Sequence, residues 1–517
     1  MKKKIKKALK IISNILFIIS IIAFIVSLYI NIFFNGVSFE QLLYSLLEFK
    51  GTNMGVIIKG LIIVIIVLVI LYFIKKLFSF LISKIKYKVI FNVKLGKKNF
   101  IFSTKALLKV LFIFIFLYSS YEMLNIDDYI YMLRSSTNLY EEYYVNPKDV
   151  KIEFPDKKRN LIFIYLESME MTNASTKNGG FMRQSYIPNL EKLALENINF
   201  SNTDKLGGDI SIYGMNYTSA SLVAHTAGIP LKVSIGWRNY KNYGKSIPGV
   251  YNLGDILKDN GYHNYFMIGS DADFGGRKDY FRHGDYEILD YYWAIDEGLI
   301  DKDYHVWWGY EDLKLFEFAK DKLTEISKLD EPFNFTLLTV DTHFTDGYQD
   351  SSCKNLFDKK YANAIYCSDS KVGKFIEWIK KQDFYDNTTI IITGDHTSPQ
   401  AFFYRDDDTY QRTVYNTIIN SSVEPINEKN RLFTPMDMFP TTLASLGVKI
   451  EGNRLGLGVN LFSSEETLIE KLGKEALEKE LKAKSFYYDN ELLKDHYYKM
   501  KKDLKDKEVV EDEEEVG

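Results

Sequence analysis

The chain has 517 residues, too many for one ordinary domain, so two or three are expected. Charged residues make up 26% and the net charge is −3, a balance that gives no general affinity for nucleic acid. That average hides a division, because the first 125 residues are Lys-rich and hydrophobic while the end, EVVEDEEEVG, has the composition of a disordered acidic tail.

Three segments of the N-terminal part are long and apolar enough to cross a bilayer. Ile11 to Phe34 follows the basic MKKKIKKALK, Gly55 to Ile74 is interrupted by Lys59, and Ala106 to Leu124 carries Lys109 near one end. The loop between the second and third holds Lys75, Lys76, Lys84, Lys86, Lys88, Lys94, Lys97, Lys98 and Lys105, whereas the loop between the first two has Glu40, Glu48 and Lys50. By the positive-inside rule the N-terminus and the lysine-rich loop are cytoplasmic. Three spans then put everything after about residue 125 outside the cell, in a multi-pass cell-membrane protein. A cleaved signal peptide is the alternative for the first segment, but it lacks a small-residue cleavage site and two more spans follow.

Residues 126–158, with YEEYYV and Pro147, read as a linker. From 159 to 462 apolar strand-like runs alternate with amphipathic helical ones. LIFIYL precedes PNLEKLALENI, and NLGDILKDNGY leads into NYFMIGS. KLFEFAKDKLTEISK leads into FNFTLLTV, and SKVGKFIEWIKKQDF into TTIIITG. This alternation predicts an α/β domain with a mostly parallel sheet flanked by helices. A charged helical run, EETLIEKLGKEALEKELKAK, opens the final part, 463–517. The two cysteines, Cys353 and Cys367, both fall in the exterior part, where an even count favours a disulfide over free thiols. Closing a loop of about 15 residues is worth about 3 kcal/mol.

Ligands of an open parallel sheet collect at the carboxyl ends of its strands. LIFIYL ends in Glu167, TTIIITG in Asp395 and His396, and FNFTLLTV in DTH with His343. NYFMIGS is followed by Asp271 and Asp273, then Arg277 and Lys278. A carboxylate at the rim of a core is costly unless paired, and Glu167, Asp395 and His396 are donors suited to a divalent cation. Each alone could be an ordinary loop side chain; their shared placement at strand ends argues otherwise.

In GGDISIYGMNYTSASLVAHTAGIPL, the run TSASLVAHTAGI reads as a helix ending near Gly228 and Pro230, with Thr218 at or next to the N-cap. A helix N-terminus suits a phosphate or sulfate, and a hydroxyl beside a cation can become a nucleophile. The plainer alternative is a simple capping threonine.

Taken together, NLIFIYLES, YTSASLVAHTAGIPL, FGGRKDYFRHGDYEILD, TLLTVDTHF and TTIIITGDH resemble the membrane-anchored phosphoglycerol transferases of the alkaline phosphatase and sulfatase superfamily. That family includes lipoteichoic acid synthase and the periplasmic-glucan phosphoglycerol transferase, and the chain looks closer to the latter. The resemblance covers roughly residues 158 to 460. It implies one divalent cation, Mn2+ or Mg2+, held by Glu167, Thr218, Asp395 and His396, with Thr218 as nucleophile. It also implies that His343 contacts the phosphoglycerol group and that Arg277 binds phosphate. The two cysteines sit in the same context as those of the glucan-type enzymes. The chain departs from the lipoteichoic acid synthases in having Gly275 where they carry Trp, Ser219-Ala220-Ser221 after the threonine, and fewer spans.

The implied activity is transfer of phosphoglycerol from phosphatidylglycerol to a cell-surface glycan or glycolipid. A phosphoethanolamine transferase shares the chemistry but usually has more cysteines. A sulfatase-type hydrolase is disfavoured because neither cysteine begins a C-x-P-x-R motif. A non-enzymatic sensor domain is disfavoured by the complete ligand set.

Overall fold

The computed structural model describes residues 2–33, scattered positions from 62 to 84, and 90–95, 98–232, 246–400, 403–404 and 410–493. They fall into two compact units that divide at Ile130.

In the first unit, helices α1 (Lys2–Phe33) and α2 (Thr104–Met123) pack together, with the rings of Phe24 and Phe116 5.1 Å apart. Within them Ile11–Asn31 and Ala106–Met123 are long and apolar enough to span a membrane. Ile15, Val110 and Phe114 stand with half or more of their surface exposed, which water disfavours and lipid tolerates. The strands Ile90–Leu95 and Lys98–Ser103 form an antiparallel hairpin in the lysine-rich loop. Most of the span expected over 55–74 lies outside the described residues.

The second unit is built on a six-stranded sheet of β1 (Asn160–Leu166), β2 (His263–Ile268), β3 (Glu287–Leu289), β4 (Phe333–Leu338), β5 (Thr388–Gly394) and β6 (Asn416–Ile419). Their spatial order is β3-β2-β4-β1-β5-β6, parallel throughout except for the antiparallel β5–β6 pair. The expected runs supply four of the parallel strands; β6, only four residues long, was not foreseen. The side chains of β1 split by parity. Leu161, Phe163 and Tyr165 join one core with Ala220, Val223 and Ala224 of α4 (Thr218–Ala227) and Phe439 and Leu443 of α7 (Met438–Ser445). Ile162, Ile164 and Leu166 join a second core. It includes Leu190 of α3 (Pro188–Glu196), Leu315 of α5 (Asp312–Ile326) and Ile365 and Val372 of α6 (Lys360–Ile379). A strand covered by helices on both faces has no polar side, which explains the unbroken apolar run.

The disulfide Cys353–Cys367 is formed, fastening the segment after β4 to α6. Residues 126–158, expected as a linker, are structured: helices Ile126–Arg134 and Leu139–Tyr143 precede the strand Ile152–Glu153, which pairs with Lys449–Ile450. The charged run after Ser463 folds as two helices, Leu468–Leu472 and Lys474–Lys482, broken at Gly473 (φ 82°). Charge dominates its composition, yet Leu477, Leu481 and Tyr488 enter the same core as Leu139 and Tyr140. The Tyr140 and Tyr488 rings lie 5.4 Å apart, and Thr137 N–H donates to Lys484 O (2.9 Å). The acidic end lies outside the described residues.

A chain beginning at residue 150 would lack Leu139 and Tyr140, each fully buried and worth about 1.5–3 kcal/mol. It is expected to be less stable than one beginning at residue 131 by about 3–6 kcal/mol. Equal denaturant midpoints for the two chains would contradict this packing.

Candidate active site

Parallel pairing sets Leu166 of β1 opposite Gly394 of β5, so the residues that follow, Glu167 and Asp395, leave adjacent strands at the same level. Both carboxylates and His396 are buried, and one donor atom from each lies within 4.8 Å of the others. His396 Nε2 is 3.7 Å from Glu167 Oε1 and 3.4 Å from Asp395 Oδ2. Its Nδ1 faces Thr397 O at 2.9 Å, the arrangement of an N–H donor to a carbonyl, which leaves the Nε2 lone pair to the cluster.

The backbone between the two carboxylates is unusual. Ser168 is left-handed (φ 52°), and from there its N–H donates to Asp395 Oδ1 (2.7 Å) and its hydroxyl to Glu167 Oε1 (2.6 Å). His396 N–H also donates to Asp395 Oδ1 (2.8 Å). Among the described residues Asp395 Oδ2 is buried without a hydrogen-bond donor. Burial and the facing Glu167 push the Asp395 carboxyl up to about 7. Burial also raises Glu167, but His343, His396 and the Ser168 hydroxyl outweigh it and leave its pKa below the ordinary value. On His396 burial opposes charge, while Asp395 and Glu167 overcome it and raise the pKa. An orphaned carboxylate oxygen, a second carboxylate and an imidazole lone pair converging on one point fit a divalent cation.

Thr218 is the first residue of α4, after Tyr217 at the N-cap. Its hydroxyl lies 3.3 Å from Glu167 Oε2 and 3.4 Å from His396 Nε2. Small residues let α4 pack closely, and Gly228 ends it in the left-handed conformation (φ 65°), where a Cβ would come 2.8 Å from Leu455 O. Ser219 is not a rival nucleophile, because its hydroxyl donates to Gly275 O (2.7 Å).

Arg277 and His343 line the same pocket as Glu167 and Thr218. Arg277 is buried, donates from Nη2 to Asp271 O (2.8 Å) and Ser270 Oγ (3.2 Å), and lies 5.4 Å from the Phe274 ring centre. His343 Nδ1 faces Phe344 O at 2.7 Å, and its ring packs 4.7 Å from that of Trp308. All six residues singled out from the sequence are thus brought to one place. Asp273 and Lys278 do not line the pocket, and Asp271 contributes through its backbone.

Sequence reasoning missed the residues that hold these in position. Tyr361 OH reaches both Thr342 O (3.0 Å) and Ser398 Oγ (2.9 Å), tying the His343 loop to the His396 loop. Glu170, buried and paired with Arg412, accepts from Ser398 N–H (2.8 Å). Trp308 walls the pocket from a loop with no strand-end signal. A WW pair in the sequence was the one hint, and it was not distinctive.

Residues 159–448 match the Sulfatase family model, more than half of the chain, and the protein belongs to that family. Among curated proteins it is similar to phosphoglycerol transferase I of Xanthomonas campestris pv. campestris, 32% identical over 284 residues, covering 51% of this chain and 38% of that one. The same enzyme from Escherichia coli is 33% identical over 260 residues, covering 49% of this chain and 32% of that one. The chain thus matches well under half the length of these relatives. Among solved structures, the lipoteichoic acid synthase LtaP from Listeria monocytogenes is 19% identical with a TM-score of 0.47, covering 63% of this chain and 81% of that one.

Glu167→Ala is expected to abolish stoichiometric binding of Mn2+, because Asp395 and His396 alone leave too few donors. Metal analysis of the purified protein after dialysis against Mn2+ checks this, and undiminished occupancy would contradict the ligand set.

Proposed function

We propose that the protein is a membrane-anchored phosphoglycerol transferase with its second unit outside the cell. It moves the phosphoglycerol headgroup of phosphatidylglycerol to a hydroxyl of a cell-surface glycan or glycolipid through a covalent glycerophospho-threonine. The placement of Thr218 carries this function: a hydroxyl at a helix N-terminus, within 3.4 Å of Glu167 and His396, in a pocket that also holds Arg277 and His343. Kinship with phosphoglycerol transferase I supports the choice of headgroup.

In the first step Thr218 Oγ attacks phosphorus and the bond to the diacylglycerol oxygen breaks. The nearest acceptors for the hydroxyl proton are Glu167 Oε2 and His396 Nε2. Free N–H groups of the first turn of α4 and the Arg277 guanidinium face the charge that builds on the phosphoryl oxygens. His343 orients the headgroup and stands ready for proton transfer to the departing oxygen. In the second step an acceptor hydroxyl attacks the same phosphorus and frees Thr218. A divalent cation on Glu167, Asp395 and His396, Mn2+ or Mg2+, would lower the pKa of the threonine hydroxyl and neutralise phosphoryl charge. The membrane helices keep the enzyme where its lipid donor is.

Thr218→Ala is expected to lower headgroup transfer by about a thousandfold or more, with the residue due to positioning and electrostatics. Thr218→Ser keeps the oxygen and retains part of the rate. With a phosphatidylglycerol analogue and no acceptor, mass spectrometry should find a glycerophosphate adduct on the Thr218 peptide, and phosphatidylethanolamine should leave that peptide unmodified. Near wild-type transfer by Thr218→Ala would rule out the covalent route.

The membrane orientation is checked with reporter fusions. A fusion after residue 90 should report a cytoplasmic position and one after residue 140 an extracytoplasmic one. The reverse pattern would put the site on the wrong side for a cell-surface acceptor.

A further inference from the structure

Thr218 and Arg277 reach the pocket from separate parts of the chain. Thr218 opens α4, after the long segment that follows β1, whereas Arg277 follows β2, on the far side of β4 from β1. Charge stabilisation at phosphorus requires the guanidinium and the attacking oxygen to be fixed relative to each other within a fraction of an ångström. Strand pairing alone cannot do this, because both residues lie beyond the strand ends, at the starts of separate helices.

One contact joins the two helix starts close to both residues. Ser219 Oγ donates to Gly275 O at 2.7 Å; Ser219 follows Thr218 directly, and one residue, Gly276, separates Gly275 from Arg277. The receiving turn is shaped for it. Gly275 and Gly276 are both left-handed (φ 66° and 68°), and a Cβ on Gly275 would stand 2.7 Å from the Ser219 oxygen. The turn feeds directly into the helix Arg277–Tyr280, and the Arg277 side chain folds back to Ser270 and Asp271 of the same loop. The guanidinium therefore moves with the turn. Ser219 is not needed as a helix cap, since Tyr217 holds that position.

We propose that Ser219 is a positioning residue, its hydroxyl on the Gly275 carbonyl fixing the Arg277 guanidinium against the Thr218 oxygen. Given the phosphoryl transfer proposed above, this bond sets how well the phosphate of the donor is held during attack. Its loss loosens the turn against the start of α4, while Thr226 Oγ1 and Tyr280 OH (2.5 Å) still join the two helices further along, and leaves untouched the metal ligands, which follow β1 and β5.

Calorimetric titration of the full-length, detergent-solubilised, Mn2+-loaded protein with inorganic phosphate tests this without any lipid donor. Ser219→Ala should weaken phosphate binding about tenfold, the equivalent of one ordinary hydrogen bond, with manganese content and melting temperature unchanged. Ser219→Thr, which keeps the hydroxyl, should bind as wild type. Arg277→Ala should weaken binding at least as much, and adding Ser219→Ala to it should cost nothing further, because the serine acts through the arginine. Wild-type affinity in Ser219→Ala, equal losses in both backgrounds, or no effect of Arg277→Ala would each overturn the proposal. So would early melting of Ser219→Ala with phosphate affinity intact. The transfer reaction itself is decided separately, by Thr218→Ala with the lipid donor, so the two ideas can fail independently.

Discussion

Two carboxylates buried side by side are the constraint on which the rest of this site depends. Register in a parallel sheet puts Glu167 and Asp395 at the ends of neighbouring strands, where neither can reach bulk water. Each would repel the other if both were charged, and burial adds its own penalty. The protein answers with donors: the amides of Ser168 and His396 and the Ser168 hydroxyl. These satisfy one oxygen of Asp395 and leave the other facing inward, where a cation would complete the balance. The left-handed backbone at Ser168 is a local strain that makes sense as part of this arrangement, because only from there do its two donors reach both acids.

Around that centre a closed set of hydrogen bonds locks the loops. Thr342 donates its hydroxyl to Glu167 O, Tyr361 joins Thr342 to Ser398, and Ser398 N–H reaches Glu170, which is paired with Arg412. Buried groups that satisfy one another in this way are rigid, since breaking one leaves others unpaired in a medium where that is costly. On the outer side, Lys371 of α6 is paired with Asp341 and Asp350, and Cys367 of the same helix is bonded to Cys353. The segment that carries His343 is therefore fastened to α6 at several points. This rigidity suits a reaction whose catalysis is mostly positioning and electrostatics.

Two loops shape the wall of the pocket around Arg277 and His343. A Cβ at position 275 would stand 2.7 Å from the Ser219 oxygen, on a left-handed backbone that favours glycine. The indole of Trp308 forms part of that wall beside His343 and Phe274, arriving from a different loop than Gly275.

Much of this was legible in the chain before any coordinates. Period and length marked four parallel strands, because a strand buried on both faces must be apolar throughout, and the first polar residue after each run marked its rim. Glu167, Thr218, Arg277, His343, Asp395 and His396 could be named on that basis together with the family resemblance. The disulfide followed from two cysteines in an exterior domain. What the sequence could not supply was strand order and register, and these place Glu167 beside Asp395 and bring Thr218 within reach of Glu167 and His396. Nor could it identify Ser168, Ser219 or Tyr361, whose importance lies in partners distant along the chain or in a single backbone angle. How the segments 126–158 and 463–493 pack was not legible for a related reason: their charge marks the exposed face, while Leu139, Tyr140, Leu477 and Leu481 are few and scattered. Local composition determines which residues must be buried or exposed; which buried residue meets which is decided only when distant segments pack, because contact energy depends on distance in space and not along the chain.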